Sequence, residues 1–177
     1  MIIHSIFNKA AELQGKHRTT APFELLDALR VVVGFTDAYP INGLKGYCAS
    51  FNRTNYVQIN AHLCEEEQRI VAAHEAGHIV LHYSELKYGA FRDDDLYATS
   101  IQEREANLFA ANFLIRDDEL LDLISEHGGD FTSIAKSLFI PNQFLAFKLY
   151  SMQKMGHNLR VPIELDSLFL GKEKWKS

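Results

Sequence analysis

The spacing of apolar residues changes from helical to strand-like within the first 60 residues. A first helix is predicted over residues 4–16, where apolar positions recur every three to four residues. A second helix is predicted to start at Thr20-Ala21-Pro22, with Thr20 as its cap. The β-branched residues 31–33 end at Gly34 and predict a short strand.

A hairpin is the next predicted feature. Residues 47–51 and 56–60 are rich in aromatic and β-branched side chains, and residues 52–55 between them have the polar composition of a turn. Pro40 and Gly46 mark the loop that leads into this hairpin. Together with the strand at residues 31–33, the pattern predicts a small antiparallel sheet.

Helical periodicity dominates the rest of the chain. The predicted helices cover about residues 64–83, 100–113 and 117–128, with Asp117 as a cap, and two short helices open at Asp130 and Pro141. Residues 84–99 lack a clear period and predict an exposed connection, with a lid over a site as the less favoured interpretation. Strands followed by helices predict an α+β fold. We expect a single domain over residues 1–177, with a polar-ended tail at 161–177.

Composition restricts the class of protein further. The chain has 177 residues, 47% hydrophobic and 23% charged, which is typical of one globular core. It contains no apolar run of about 18 residues, and its start lacks a basic region followed by an apolar stretch, so we expect a cytoplasmic protein. The net charge of −5 gives no general electrostatic reason to bind nucleic acid. Cys48 and Cys64 are too few for a disulfide framework.

The segment His74-Glu75-Ala76-Gly77-His78 has the HExxH pattern within an apolar, proline-free stretch. On a helix, positions four apart differ by about 40° and ~6 Å, so both imidazoles can share one metal ion. Glu75 lies about 100° from His74 around the axis, where its carboxylate can accept a proton from water without binding the ion. The pattern indicates amide hydrolysis by a zinc site. The alternative is a pair of buried histidines satisfied by neighbours.

Gly77 lies inside the predicted helix, where glycine lowers helix stability by about 1 kcal/mol relative to alanine, so its presence requires an explanation. We expect that a neighbouring strand approaches the helix closely at this position.

A catalytic zinc usually has three protein ligands, so the pattern requires a third. His82 lies ~12 Å along the helix from His74, too far to share the ion, so it is expected near a ligand or at the surface. Glu103 and Glu105 are the alternatives on the next long helix. Glu103 is favoured because it shares a helical stripe with Asn107, which could orient a ligand through a hydrogen bond.

These segments together resemble the ImmA/IrrE family of zinc metallopeptidases over roughly residues 25–150. The resemblance is carried by residues 56–60, by residues 73–82 and by the Glu103 to Ala111 segment. It implies a gluzincin-like α+β domain in which a small sheet packs on a zincin-like helical core, with one Zn²⁺ per chain bound by His74, His78 and Glu103. Where the family commonly has Leu-Met-Pro, this chain has Leu-Ile-Arg at residues 114–116, which affects only a helix end.

The resemblance also implies a function: cleavage of a helix-turn-helix repressor of a mobile element, such as a phage, or of a stress regulon. Glu75 is then the general base, and Tyr47, His82 and Tyr83 are alternatives for stabilising the oxyanion. Without a separate DNA-binding domain, we expect the repressor to be another chain. The substrate is expected to pair with an exposed strand edge at residues 56–60.

The rival hypothesis is a regulator without protease activity, which binds a repressor or DNA and keeps the metal for folding. Residues 132–150 weakly match a helix-turn-helix, with Ala135 facing inward. However, Phe139 occupies the turn position that often requires glycine, and Lys136 and Lys148 are the segment's only basic residues. Ordinary packing helices are therefore favoured. No contact with membranes is expected.

Overall fold

A computed structural model describes residues 3–40, 43–87 and 96–165, and for residues 87 and 96–100 it describes the backbone alone. In these residues the helices are α1 Ile3–His17, α2 Pro22–Ala28, α3 Glu65–Leu81, α4 Tyr83–Lys87, α5 Leu96–Leu114, α6 Asp117–Glu126, α7 Phe131–Ser137 and α8 Asn142–Lys154. The strands are β1 Val32–Thr36, β2 Gly46–Phe51 and β3 Thr54–Asn60. The predicted α+β class is confirmed.

The sheet has the strand order β1-β3-β2. β2 and β3 form the predicted antiparallel hairpin, whose tight turn places Asn52 and Arg53 at positive φ of 50° and 64°. β1, however, pairs with β3 in parallel, so the sheet is mixed and the prediction of a wholly antiparallel sheet is wrong. The second hairpin strand lies between β1 and β2, and periodicity carries no information about strand order.

One face of the hairpin packs against α3. Along β2, the half-buried Gly46, Cys48 and Ser50 alternate with exposed residues, so every second residue faces the helix. In β3, Val57 and Ile59 are fully buried on the same side. The sheet therefore forms one wall beside the helix that carries both histidines.

The close contact between α3 and α5 forms the centre of the helical layer. Ala106 is fully buried on α5, and a Cβ added at Gly77 would lie 3.1 Å from its Cα and carbonyl oxygen. The same Cβ would lie 3.2 Å from Cδ1 of Phe109. Gly77 thus allows the close approach of a helix, and the expectation that a strand approaches it is wrong.

Three other features of the helices differ from the sequence-based predictions. The N-cap of α2 is Ala21 rather than Thr20, and Asp117 is the first residue of α6 rather than its cap. Residues 83–87 form α4 within the predicted connection. Asp130, where a short helix is predicted to open, is the N-cap of α7 and accepts a hydrogen bond from the Thr132 amide.

Parts of two predicted segments lie outside the described residues: positions 88–95 of the connection and positions 166–177 of the tail. In the part of the chain that is described, no helix combines the length and apolar composition that crossing a membrane requires.

Most of helix α8, the second helix of the weak helix-turn-helix match, is buried against α5 and α1. Lys148, one of the two basic residues in the helix-turn-helix segment, is buried and donates hydrogen bonds to the carboxylate of Asp117 and to Oδ1 of Asn112. It is therefore not available to a DNA phosphate. The interpretation of α7 and α8 as packing helices is confirmed.

We predict that Gly77→Ala lowers the free energy of unfolding by about 1 kcal/mol, because overpacking against α5 exceeds the roughly 1 kcal/mol gained in helix propensity. Urea unfolding measures the change. Gly15→Ala is the matched control, since no atom lies within 4 Å of a Cβ added there. The control should gain about 0.5 kcal/mol. An equal gain in both variants would contradict the close contact.

Candidate active site

Helices α3 and α5 bring three potential metal ligands together. The Nε2 atoms of His74 and His78 lie 3.1 Å apart. The two carboxylate oxygens of Glu103 lie 3.1 Å from Nε2 of His74 and 3.3 Å from Nε2 of His78. Both histidines are buried and Glu103 is partly buried. The three residues proposed from the sequence thus converge on one point.

The geometry of this cluster suits a small divalent cation. Two imidazole nitrogens and a carboxylate are preferred zinc ligands, and an ion ~2.0–2.1 Å from each lies within reach of atoms so spaced. Three lone pairs pointing at one another would be costly to bury without a cation or a shared proton. The residues present therefore fit the metal that the HExxH pattern implies.

Glu105, the alternative third ligand, contacts a different histidine. Its Oε2 lies 2.9 Å from Nε2 of His82, while Glu103 contacts both HExxH histidines. Spacing along α5 explains the separation, because residues two apart on a helix point about 200° apart. The geometry therefore favours Glu103 as the ligand.

Within the cluster, the carboxylate of Glu103 and the imidazole of His74 each favour the charged form of the other. Burial alone would raise the pKa of Glu103, yet the adjacent His74 and His78 hold this pKa well below its usual range. Burial likewise opposes protonation of His74, but the Glu103 carboxylate raises the pKa of His74 above its ordinary value. Glu103 is thus ionised and ready to bind a cation, and a proton competes with that cation for His74.

Asn107 orients the His74 ring through a hydrogen bond to Nδ1, the ring nitrogen that points away from the cluster. Its Oδ1 lies 2.9 Å from Nδ1 of His74, and Asn107 is fully buried one turn after Glu103. Because a carbonyl oxygen only accepts, Nδ1 of His74 carries the hydrogen and Nε2 is left with a lone pair directed at the cluster. The hydrogen bond anticipated from the sequence is present.

The carboxylate of Glu75 lies on the sheet side of α3, and Glu75 is only 6% exposed. A Cβ added at Gly46 would lie 3.5 Å from Oε1 of Glu75 and 2.5 Å from Cγ1 of Val71. Only glycine lets β2 pass so close to the helix here. The sequence pattern predicts Gly46 only as a loop residue, because its contact with α3 depends on tertiary packing.

Cys48 is a second neighbour of Glu75 that the sequence did not reveal. Burial raises the pKa of the Cys48 thiol, and the nearby carboxylates of Glu75 and Glu103 raise it further. The thiol therefore stays protonated and can donate a hydrogen bond to Glu75. Cys48 and Cys64 are both free thiols.

The three residues considered as oxyanion donors differ in their position relative to the site. Tyr47 alternates with Gly46 and Cys48 along β2, so it faces away from Glu75. His82 is buried, and both of its ring nitrogens contact protein groups, His78 Nδ1 at 3.1 Å and Glu105. Tyr83 is 43% exposed at the start of α4, which packs against β2, and it stays a prediction.

An HExxH helix beside a small sheet, with a glutamate from the following long helix, is a metallopeptidase-type arrangement. The model of the peptidase M78 family, described as the IrrE N-terminal-like domain, matches residues 27–150, which is more than half of the chain. The chain belongs to this family. A search of curated proteins found no match.

We predict that Glu103→Ala fails to retain one zinc ion per chain after dialysis, because it loses the only carboxylate that contacts both histidines among the described residues. Glu105→Ala should still bind one ion, although more weakly. Metal analysis of the two purified variants beside the parent protein measures both. Loss of the ion from Glu105→Ala alone would reverse the ligand assignment.

Proposed function

We propose that the chain is a zinc-dependent endopeptidase with one Zn²⁺ bound by His74, His78 and Glu103. The observation that carries the proposal is the convergence of these three side chains next to a fourth, Glu75, that is not needed as a ligand. Membership of the peptidase M78 family supports hydrolysis of peptide bonds. A metal kept only for folding has no use for a buried carboxylate beside it.

Glu75 is the general base of the proposed reaction. When bound, zinc supplies Lewis acidity that polarises the attacking water and the scissile carbonyl. Glu75 takes a proton from the water while the water oxygen forms a bond to the carbonyl carbon. Glu75 then passes that proton to the leaving nitrogen as the C–N bond breaks. Before the first transfer, the S–H of Cys48 can donate a hydrogen bond to the Glu75 carboxylate and hold it facing β2.

Strand β2 is the proposed docking edge for an extended substrate. Residues 56–60, the edge first expected from the sequence, lie in the central strand β3, which is hydrogen-bonded on both sides. β2 is a terminal strand, and within the described residues it pairs only with β3. It also passes directly beside Glu75. A substrate strand added to β2 would place its backbone near the general base.

The proposed substrate is a helix-turn-helix repressor of a mobile element or a stress regulon, and cleavage takes place in the cytoplasm. Resemblance to the ImmA/IrrE family supports this choice. The net charge of −5 complements the basic DNA-binding surface of a repressor, which favours encounter between the two proteins. An acidic chain whose helix α8 is mostly buried in its own core is better suited to acting on such a protein than to binding DNA itself.

We predict that Glu75→Gln binds zinc as the parent does but loses proteolysis by at least about 10²-fold, because an amide cannot accept the proton. Single-turnover cleavage and metal analysis should be measured on the same preparations. Glu126→Gln, an exposed carboxylate on α6, is the matched control and should keep full activity. Equal activity of the Glu75 and Glu126 variants would exclude this mechanism.

We predict that the zinc-loaded protein cleaves a DNA-binding repressor encoded next to it. The purified pair should be incubated with either the parent protein or Glu75→Gln, and both repressor length and DNA affinity measured. Cleavage by the parent alone is the expected result. If the repressor stays whole and loses DNA affinity equally with both proteins, the chain is a binding regulator and not a protease.

A further inference from the structure

We propose that His82 and Glu105 are positioning residues for the metal ligand His78. A buried chain of hydrogen bonds leads from the Glu105 carboxylate through the His82 ring to the far side of the His78 ring. The distances are 2.9 Å from Glu105 Oε2 to His82 Nε2 and 3.1 Å from His82 Nδ1 to His78 Nδ1. The inference rests on the proposed role of His78 as a ligand.

The positions of the protons in this chain follow from the requirement at the metal. A cation at Nε2 of His78 needs a lone pair there, so the neutral ring carries its hydrogen on Nδ1. Nδ1 of His78 then donates to Nδ1 of His82, which must accept. The hydrogen of His82 therefore lies on Nε2, where the Glu105 carboxylate accepts it. One arrangement of protons satisfies both contacts and leaves Nε2 of His78 free to bind.

His82 is held against His78 by its backbone as well as its side chain. It is the C-cap residue of α3, with φ −122° and ψ 27°, and its amide donates to the carbonyl of His78 at 2.8 Å. His82 is only 3% exposed and Glu105 only 8% exposed. Hydrogen bonds at this depth are strong, and leaving one of these groups without a partner is costly.

The two HExxH histidines thus have different supports. His74 donates to the neutral amide of Asn107, whereas the chain behind His78 ends in a carboxylate. Negative charge at the end of such a chain increases the basicity of the ligand and fixes the plane of its ring. We therefore expect the affinity of His78 for the metal to depend on the charge of the Glu105 carboxylate, which is not itself a ligand. The affinity of His74 should depend only on the dipole of the Asn107 amide.

The experiment compares His82→Phe, which keeps an aromatic ring but removes both hydrogen bonds, with Glu105→Gln, which keeps an acceptor but removes the charge. Glu85→Gln is the control, because Glu85 is an exposed carboxylate close to His82 in sequence. The dissociation constant for zinc is measured by competition with a chelator at fixed pH and salt. Circular dichroism of the metal-free proteins reports whether each variant folds.

His82→Phe should weaken zinc binding by about 10- to 100-fold, Glu105→Gln by a smaller factor, and Glu85→Gln by less than about twofold. In the zinc-loaded parent, ¹⁵N NMR of the imidazoles should show His82 protonated at Nε2 and His78 at Nδ1. A role in packing alone would not determine these tautomers. Glu105→Gln keeps the shape of the site, so it tests the proposal even if His82→Phe does not fold.

Parent-like zinc affinity in folded His82→Phe and in Glu105→Gln would overturn the positioning role, as would a His82 ring protonated at Nδ1. These outcomes differ from failure of the proposed function, in which the parent protein itself binds no zinc or retains zinc without cleaving any substrate.

Discussion

The contact between Gly77 and Ala106 determines how α3 and α5, the helices that carry the proposed metal ligands, meet. With no side chain at Gly77 and a methyl group at Ala106, the backbones of α3 and α5 approach more closely than larger residues would allow. Glu103 lies one turn before Ala106, so the same approach brings its carboxylate to both imidazoles. A wider separation would take the Glu103 carboxylate away from both imidazoles. The packing of two small residues is thus a condition for the chemistry.

Around this contact, each functional side chain is held by a different part of the fold. Asn107 on α5 fixes the ring of His74, and His82 at the end of α3 fixes the ring of His78. Strand β2 encloses Glu75 through Gly46 and the protonated thiol of Cys48. In the proposed site, the helices therefore arrange the metal ligands, while the sheet encloses the general base and presents the edge of β2 at which we propose that the substrate docks.

The parts of this arrangement that depend on residues within a single helix or hairpin could be predicted from the sequence. The HExxH spacing and the stripe shared by Glu103 and Asn107 are helical periodicities, and both led to groups that meet in the structure. The hairpin was predictable from its turn. The parallel pairing of β1, in contrast, depends on where the hairpin docks, which local pattern does not specify.

The same limit explains what the sequence missed around the site. Gly46 and Cys48 become part of the site only because β2 passes beside α3. Glu105 looked like a competitor for the metal, since sequence spacing shows its direction on α5 and not that His82 lies in that direction. Thr20 had the chemistry of a helix cap, yet the helix starts one residue later, after Ala21.

The position of the proposed ligands on two different helices has a further, thermodynamic consequence. His78 and Glu103 are 25 positions apart in the chain, so an ion that binds both acts as a cross-link between α3 and α5. Binding and folding are then linked, and each tenfold excess of zinc over its dissociation constant adds about 1.4 kcal/mol to the stability of the folded chain. The supply of metal would therefore govern how long the protein survives as well as whether it is active.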